Sequence, residues 1–355
     1  MREIKIGGKY IGEMHHPYFV ADIAANHDGS IERAFKLIEL AKEAGADAAK
    51  FQNFKAERIV SDFGFNSMGS LVSHQINWGK SVFDVYKEAS ISYEWTARLQ
   101  RKCQEVGIEY MTSPYDFETI DSVDPYVNCY KIGSGDITWT DILEHISKKK
   151  KPVILATGAS DLSDVDRAVK AIYKWNNNLV LMQCNTNYTA SNESFEYINL
   201  NVLKLYGNRY PDTILGLSDH TYGHAAVLGA IALGARVIEK HFTDDNDRKG
   251  PDHKFSMTPI TWKNMMQSSN ELFLALGDGI KRVEKNEEET AKVQRRALYF
   301  TCDFPAGHIL EEADLFPLRP ILLDNIEPYR IEELIGRNLK RAVHANEPIK
   351  NGDVI

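Results

Sequence analysis

Short apolar runs alternate with longer stretches whose apolar residues recur three and four positions apart through the first four-fifths of the chain. The runs are Phe19–Ala25, Asp47–Gln52, Ile108–Pro114, Cys129–Gly135, Pro152–Gly158, Leu179–Asn185, Thr213–Asp219 and Arg236–Phe242, which predicts eight β-strands. Between them, Ile31–Ala44 carries Ile31, Ala34, Phe35, Ile38 and Ala41 on one helical face, and Ser163–Trp175, Gly223–Leu233 and Thr261–Leu276 read the same way. Gly45, Gly107 and Gly234 stand where helices should end before the next strand. Strict alternation of strand and helix demands a parallel sheet covered by helices. Eight repeats favour a closed (β/α)8 TIM barrel, an α/β fold, over an open doubly wound sheet. About forty residues, Asn53 to Ser92, separate the second strand from its helix, a length that is usually functional or disordered.

After Gly279 the pattern changes. Glu284–Thr290 is acidic and reads as a linker, and from Arg295 onward short strands with Gly and Pro punctuation predict a small β-rich domain. The expected division is a barrel over 1–280, a linker over 281–294 and a small domain over 295–355.

Composition narrows the function. The chain of 355 residues is 43% hydrophobic and 26% charged, which excludes disordered and collagen-like classes. A net charge of −8 gives no global field for nucleic acid, so an anionic ligand must be held by local Lys or Arg. No GxGxxG follows the first strand and no GxxxxGK[ST] occurs, which removes the main support for dinucleotide or P-loop binding. The four cysteines are widely spaced and read as reduced, mostly buried thiols. Met1–Gly12 lacks a signal-peptide core, and the apolar run Ala225–Ala235 is too short to span a bilayer, so a soluble, cytoplasmic protein is expected.

In such barrels the chemistry lies at the C-terminal ends of the strands. Those ends carry Asp22, Asn26 and His27, then Lys50 and Gln52, then Thr112 and Ser113, then Lys131, Ser134 and Asp136. Further along come Gln183 and Asn185, Ser218, Asp219 and His220, and finally Glu239, Lys240 and His241. A lysine inside an apolar strand is costly unless it meets an anion, so Lys50 and Lys131 point to an anionic ligand between them. His220 and His241 close consecutive strands. Neutral imidazoles so placed, flanked by Asp219 and Glu239, suit a divalent transition metal such as Mn²⁺, with substrate and water completing its shell. Zinc is less favoured, for want of a third His or Cys. Asp136 could instead be a helix N-cap ahead of Ile137–Ile146, and His220 and His241 could simply pack at the rim.

Six segments carry a more specific signal: Asp22–Gly29, Ala44–Gln52, Lys131–Gly135, Gly216–Thr221, Glu239–Thr243 and Lys249–His253. With them the chain resembles the sialic acid (N-acylneuraminate, or nonulosonate) synthases, including their legionaminic and pseudaminic acid relatives, and its last sixty residues resemble their antifreeze-like, or SAF, domain. The resemblance implies a metal-dependent condensation of phosphoenolpyruvate with an open-chain N-acylmannosamine-type sugar, giving a 3-deoxy-nonulosonic acid and phosphate. It implies that Lys50, Lys131, Ser134 and Ser218 hold phosphoenolpyruvate with help from Ser113 and Thr186. His220 and His241 would hold the metal, Mn²⁺ before Mg²⁺ or Co²⁺, and Gln52, Tyr188 and Asp252 would contact the sugar. Arg319 would reach in from the small domain of a partner subunit in a homodimer.

Asp22 and Asp136 stand where the family usually has glutamates, and are the candidate catalytic acids and bases. The segment Arg319–Pro328 also departs from the family's Gly-rich loop, while Lys249–His253 keeps the form associated with manno-configured substrates. These departures give the expectation of a manno-configured sugar other than plain N-acetylmannosamine. Competing readings are another metal-dependent barrel aldolase or an ulosonate synthase, whose phosphorylated sugar Arg248 and Lys249 could bind, and a Schiff-base aldolase. An ice-binding role for the small domain is disfavoured, since residues 295–355 contain a single threonine, Thr301.

Overall fold

The computed structural model describes residues 2–68, 78–188 and 192–355. It divides into two compact units, Met1–Gly277 and Asp278–Ile355. The first opens with an antiparallel hairpin, β1 (Glu3–Ile6) and β2 (Lys9–Gly12), that the strand pattern did not predict. The eight parallel strands follow: β3 (Tyr18–Asp22), β4 (Ala48–Asn53), β5 (Glu109–Pro114), β6 (Tyr130–Ile132), β7 (Val153–Ala156), β8 (Leu179–Cys184), β9 (Ile214–Asp219) and β10 (Val237–His241). Each lies within one residue of an expected run or inside it. Their order is β5-β4-β3-β10-β9-β8-β7-β6, so the first barrel strand pairs with the last, and β5 and β6 lie side by side to complete the TIM barrel.

Local rules account for the helices between them. Helix Ile31–Glu43 starts where the Ser30 side chain accepts a hydrogen bond from the Arg33 amide, and buries Ile31, Ala34, Leu37, Ile38 and Ala41 against the sheet. Truncating Leu37 there to Ala should cost about 2–5 kcal/mol. Helix Tyr93–Val106 ends on Gly107 in the left-handed region, φ +73°, which a side chain would strain. Inside the barrel, Tyr18, Val20, Ala48, Met111, Ile154, Val180, Met182 and Val237 form an apolar plug, joined from below by Ile4, Ile6 and Ile11 of the hairpin. The apolar plug occupies the N-terminal part of the strands, and the buried charges sit at their C-terminal ends.

The connection after β4 contains helices Ala56–Ile59, Asp62–Ser67 and Val82–Ala89, with part of it outside the described residues. In the second unit the expected linker is itself partly helical over Glu288–Gln294, because Glu288 and Glu289 sit in its first turn and Lys292 in its last, each sign at the favourable end. Regular strand is scarce there. Only β11 (Ala297–Phe300) and β12 (Leu315–Leu318) form a ladder, and single bridges such as Phe304 to Val343 tie turns around Leu298, Phe300, Leu310, Leu339 and Ile349. Among the described residues no helix is long and apolar enough to cross a membrane.

Candidate active site

Parallel register sets Asp22 beside Lys50, His241 beside Asp22, and Glu239 beside Ser218. Because side chains alternate between faces, Asp22, Lys50, Lys131, Ser218 and Glu239 all turn inward at the C-terminal end of the barrel. Lys50 Nζ lies 2.7 Å from Asp22 Oδ2 and 3.7 Å from Glu239 Oε2, and Lys131 Nζ lies 3.2 Å from Glu239 Oε1. Ser218 Oγ donates to the same Oε1 at 3.1 Å. All four charged residues are at most 4% exposed. Burial opposes ionisation of Glu239, yet Lys131 and Lys50 outweigh it and hold its carboxyl at about 2. Burial likewise opposes charge on Lys50, while Asp22 and Glu239 keep its ammonium above the usual lysine range. Asp22 is pushed upward by burial and by Glu239, against the pull of Lys50.

The cluster is not fully paired. Ser113 Oγ, Glu239 Oε2 and His241 Nδ1 are buried without a hydrogen-bond partner, the kind of orphan that a native site reserves for a ligand. Ser134 Oγ accepts from the Gly158 amide at 2.9 Å. A Cβ on Gly158 would fall 2.6 Å from Thr186 Cγ2, 3.0 Å from Ser134 Oγ and 3.2 Å from Cys184 Sγ, so only glycine fits between these groups. Gln52 lies opposite Ser113 in the β4–β5 register.

Across the rim, His220 and His241 face each other with ring centroids 5.4 Å apart, and Tyr188 packs on both, 4.3 and 6.1 Å away. His220 Nδ1 lies 2.8 Å from the Asn185 carbonyl, so this nitrogen carries the proton and Nε2 keeps a lone pair. Burial lowers His220 to about 4, and burial with the nearby Lys50 ammonium lowers His241 to about 3. Both imidazoles are therefore neutral at pH 7 and suited to a metal. Asp22 Oδ2 and Asp252 Oδ2 stand 3.7 and 3.8 Å from His241. No group of three or more His, Cys, Asp or Glu residues has metal-holding geometry among the described residues; the two facing imidazoles are the donors that could hold a metal.

The other candidates fall as follows. Burial pushes Asp252 up to about 7, with Asp22 adding to it, and its Oδ2 accepts from the Ala25 amide at 3.3 Å. Burial pushes Asp136 up to about 6 against the pull of Lys131. Asp136 is not a helix N-cap. It closes a 3-10 turn, Ser134–Asp136, and the helix begins only at Thr140. Asp219 does not flank the histidines either. It turns outward onto Lys240 and Thr221. Arg319 lies in the second unit, just past β12. Glu239 is the residue whose importance the sequence reading missed. The signal was two inward lysines that need a protein carboxylate beside them as well as a ligand, and one acidic residue two before His241, on the same face.

The NeuB family pattern matches residues 37–281 and the SAF domain residues 295–355. The chain belongs to the NeuB family. N,N′-diacetyllegionaminic acid synthase of Legionella pneumophila is 34% identical over 92% of this chain and 92% of its own length. The Campylobacter jejuni protein of the same name is 31% identical over 95% of this chain and 100% of its own length. Among solved structures, the N-acetylneuraminic acid (sialic acid) synthetase of Leptospira borgpetersenii, in complex with citrate, is 27% identical with a TM-score of 0.72, over 81% of this chain and 95% of that one. This NeuB-family chain thus shares its barrel with synthases of nine-carbon acidic sugars.

Proposed function

We propose that the protein condenses phosphoenolpyruvate with an open-chain N-acylmannosamine-type sugar to give a 3-deoxy-nonulosonic acid and inorganic phosphate. Support comes above all from two buried lysines surrounded by unpaired buried polar atoms at the C-terminal mouth of the barrel. Lys50, Lys131, Ser134 and Ser218 hold the phosphate and carboxylate, with Ser113 and Thr186 assisting. Gln52, Tyr188 and Asp252 contact the sugar. His220 and His241 would hold a divalent ion, Mn²⁺ in preference to Mg²⁺ or Co²⁺, and when bound it would act as a Lewis acid on the aldehyde oxygen.

The enol carbon C3 bonds to the aldehyde carbon, leaving an oxocarbenium centre at C2 and a negative charge on the aldehyde oxygen. Asp22, whose carboxyl burial pushes upward, relays a proton to that oxygen. Asp136 stabilises the cation and deprotonates the water that adds to C2. The resulting hemiketal phosphate then collapses to the ketone as phosphate leaves.

The sugar is manno-configured and differs from plain N-acetylmannosamine, either in the group at its amino carbon or by deoxygenation and further acylation. Two shortened carboxylates, Asp22 and Asp136, support this, as do the two N-acetyl groups in the names of the legionaminic acid synthases. A phosphorylated sugar is disfavoured because Arg248 already spends its guanidinium on Asp244, at 2.9 and 3.0 Å. The protein works as a cytoplasmic homodimer in which Arg319 of one chain closes the active site of the other. Mixing His241→Ala with Arg319→Ala chains should then restore part of the activity.

Phosphate release from phosphoenolpyruvate with Mn²⁺ tests the reading. Release should require sugar, stop with EDTA, and be faster with 2,4-diacetamido-mannose than with mannose or N-acetylmannosamine. Sugar-independent release, or none with any of these sugars, would refute the condensation.

A further inference from the structure

Asp252 reaches the site from the Lys249–His253 segment, which has little regular structure of its own. Its neighbour His253 is fully buried and points the other way. His253 Nε2 lies 2.9 Å from Asp28 Oδ1, and Nδ1 lies 2.7 Å from Thr243 Oγ1. A carboxylate only accepts, so Nε2 donates to Asp28, while Nδ1 makes the second bond with the Thr243 hydroxyl. Asp28 is held in turn by Arg33, whose Nε stands 2.9 Å from Asp28 Oδ2 and whose terminal nitrogens clasp Asp244 at 2.7 and 3.2 Å. Asn246 Nδ2 donates to the His253 carbonyl, and Ser256 Oγ to the Asp252 carbonyl, each at 2.6 Å. The backbone crosses the imidazole so closely that a Cβ on Gly250 would lie 2.6 Å from His253 Cδ2.

We propose that His253 is a positioning residue: together with Asp28 and Thr243 it latches this loop to the turn after β3 and so sets where the Asp252 carboxyl stands. The proposal rests on the reading of Asp252 as a sugar contact. It explains why Asp28 and His253, which touch none of the site's charged groups, share motifs with residues that do. A carboxylate displaced by about an ångström loses much of its value for binding or orientation, so the latch acts on the sugar and not on phosphoenolpyruvate.

His253→Ala, His253→Gln and Asp252→Asn test this together. His253→Ala should raise KM for the sugar roughly tenfold or more and leave KM for phosphoenolpyruvate within about twofold. Gln can keep the donor to Asp28 and should recover most of the loss. Amides of residues 249–256 should exchange about tenfold faster in His253→Ala, with β3 and β10 unchanged. An unchanged sugar KM in His253→Ala, where Asp252→Asn does raise it, would overturn the latch. If Asp252→Asn leaves KM unmoved, the sugar assignment of Asp252 is what fails, and exchange decides the latch: faster exchange supports it, unchanged exchange overturns it. Should His253→Ala not fold, His253→Gln and Asp28→Asn carry the same comparison.

Discussion

Strands β9 and β10 carry two buried charge clusters on opposite faces, one residue apart. Outside the barrel, Lys240 Nζ pairs with Asp219 Oδ2 and donates to the Thr221 carbonyl, while Asp219 also accepts from the Thr221 amide and hydroxyl. Both charges find partners. Inside, Glu239 accepts from Ser218 and stands between Lys131 and Lys50, and its Oε2 keeps no hydrogen bond. Burial of charge is common to the two, so burial alone does not mark function. What sets the inner face apart is that Ser113 Oγ, Glu239 Oε2 and His241 Nδ1 are left unpaired together at the strand ends, a cluster of free polar atoms open to a ligand.

Five substitutions would break or sharpen this contrast. Lys240→Met leaves Asp219 buried without its cation and should cost about 3–5 kcal/mol, on the order of 10 °C in Tm, with activity per folded chain unchanged. Loss of turnover at a temperature where the variant is folded would bring the outer cluster into the mechanism. Next in size, His220→Ala or His241→Ala should lower kcat by about a hundredfold to a thousandfold and abolish stimulation by Mn²⁺, while circular dichroism stays that of the wild type. Near-normal turnover in both single variants would remove the metal from that pair.

A smaller effect is expected in pH. If Asp136 is the base, kcat/KM should rise as pH climbs through about 6, and Asp136→Asn should flatten that limb. Stability carries the matching sign. The raised carboxyl keeps its proton in the folded state between about pH 4 and 6, after the unfolded chain has lost its own. Its contribution therefore falls as pH rises across that window and is constant above it. Asp136→Asn should remove this slope from a series of urea melts. Smallest of all, Arg248→Ala should change kcat/KM by less than about twofold, since its partner is Asp244. A large rise in sugar KM would revive the phosphorylated-sugar reading.

Much of this was legible in the residues. The eight strands announced themselves by apolar runs with polar residues near their C-terminal ends, and barrel geometry turns such ends into one mouth, so Lys50, Lys131, Ser218 and His241 could be named beforehand. Glu239 could not be ranked, because its two lysine partners sit on β4 and β6, neither of which pairs with β10. The opening hairpin escaped because four-residue strands give too few positions for alternation to register. Asp136 was ambiguous because a 3-10 turn intervenes before its helix, and the His253 latch joins residues 225 positions apart.

Calorimetric titration of phosphoenolpyruvate, with Mn²⁺ present, into two charge-neutral double variants tests the contrast most directly. Lys131→Met with Glu239→Gln removes one cation and one anion from the inner face, and Asp219→Asn with Lys240→Met does the same outside. The wild type and the outer variant should each bind one phosphoenolpyruvate per chain with similar affinity, although the outer variant melts earlier. The inner variant should lose binding by about a hundredfold or more. Binding that survives the inner exchange, or that vanishes with the outer one while the protein is folded, would contradict the assignment of the inner face as the site.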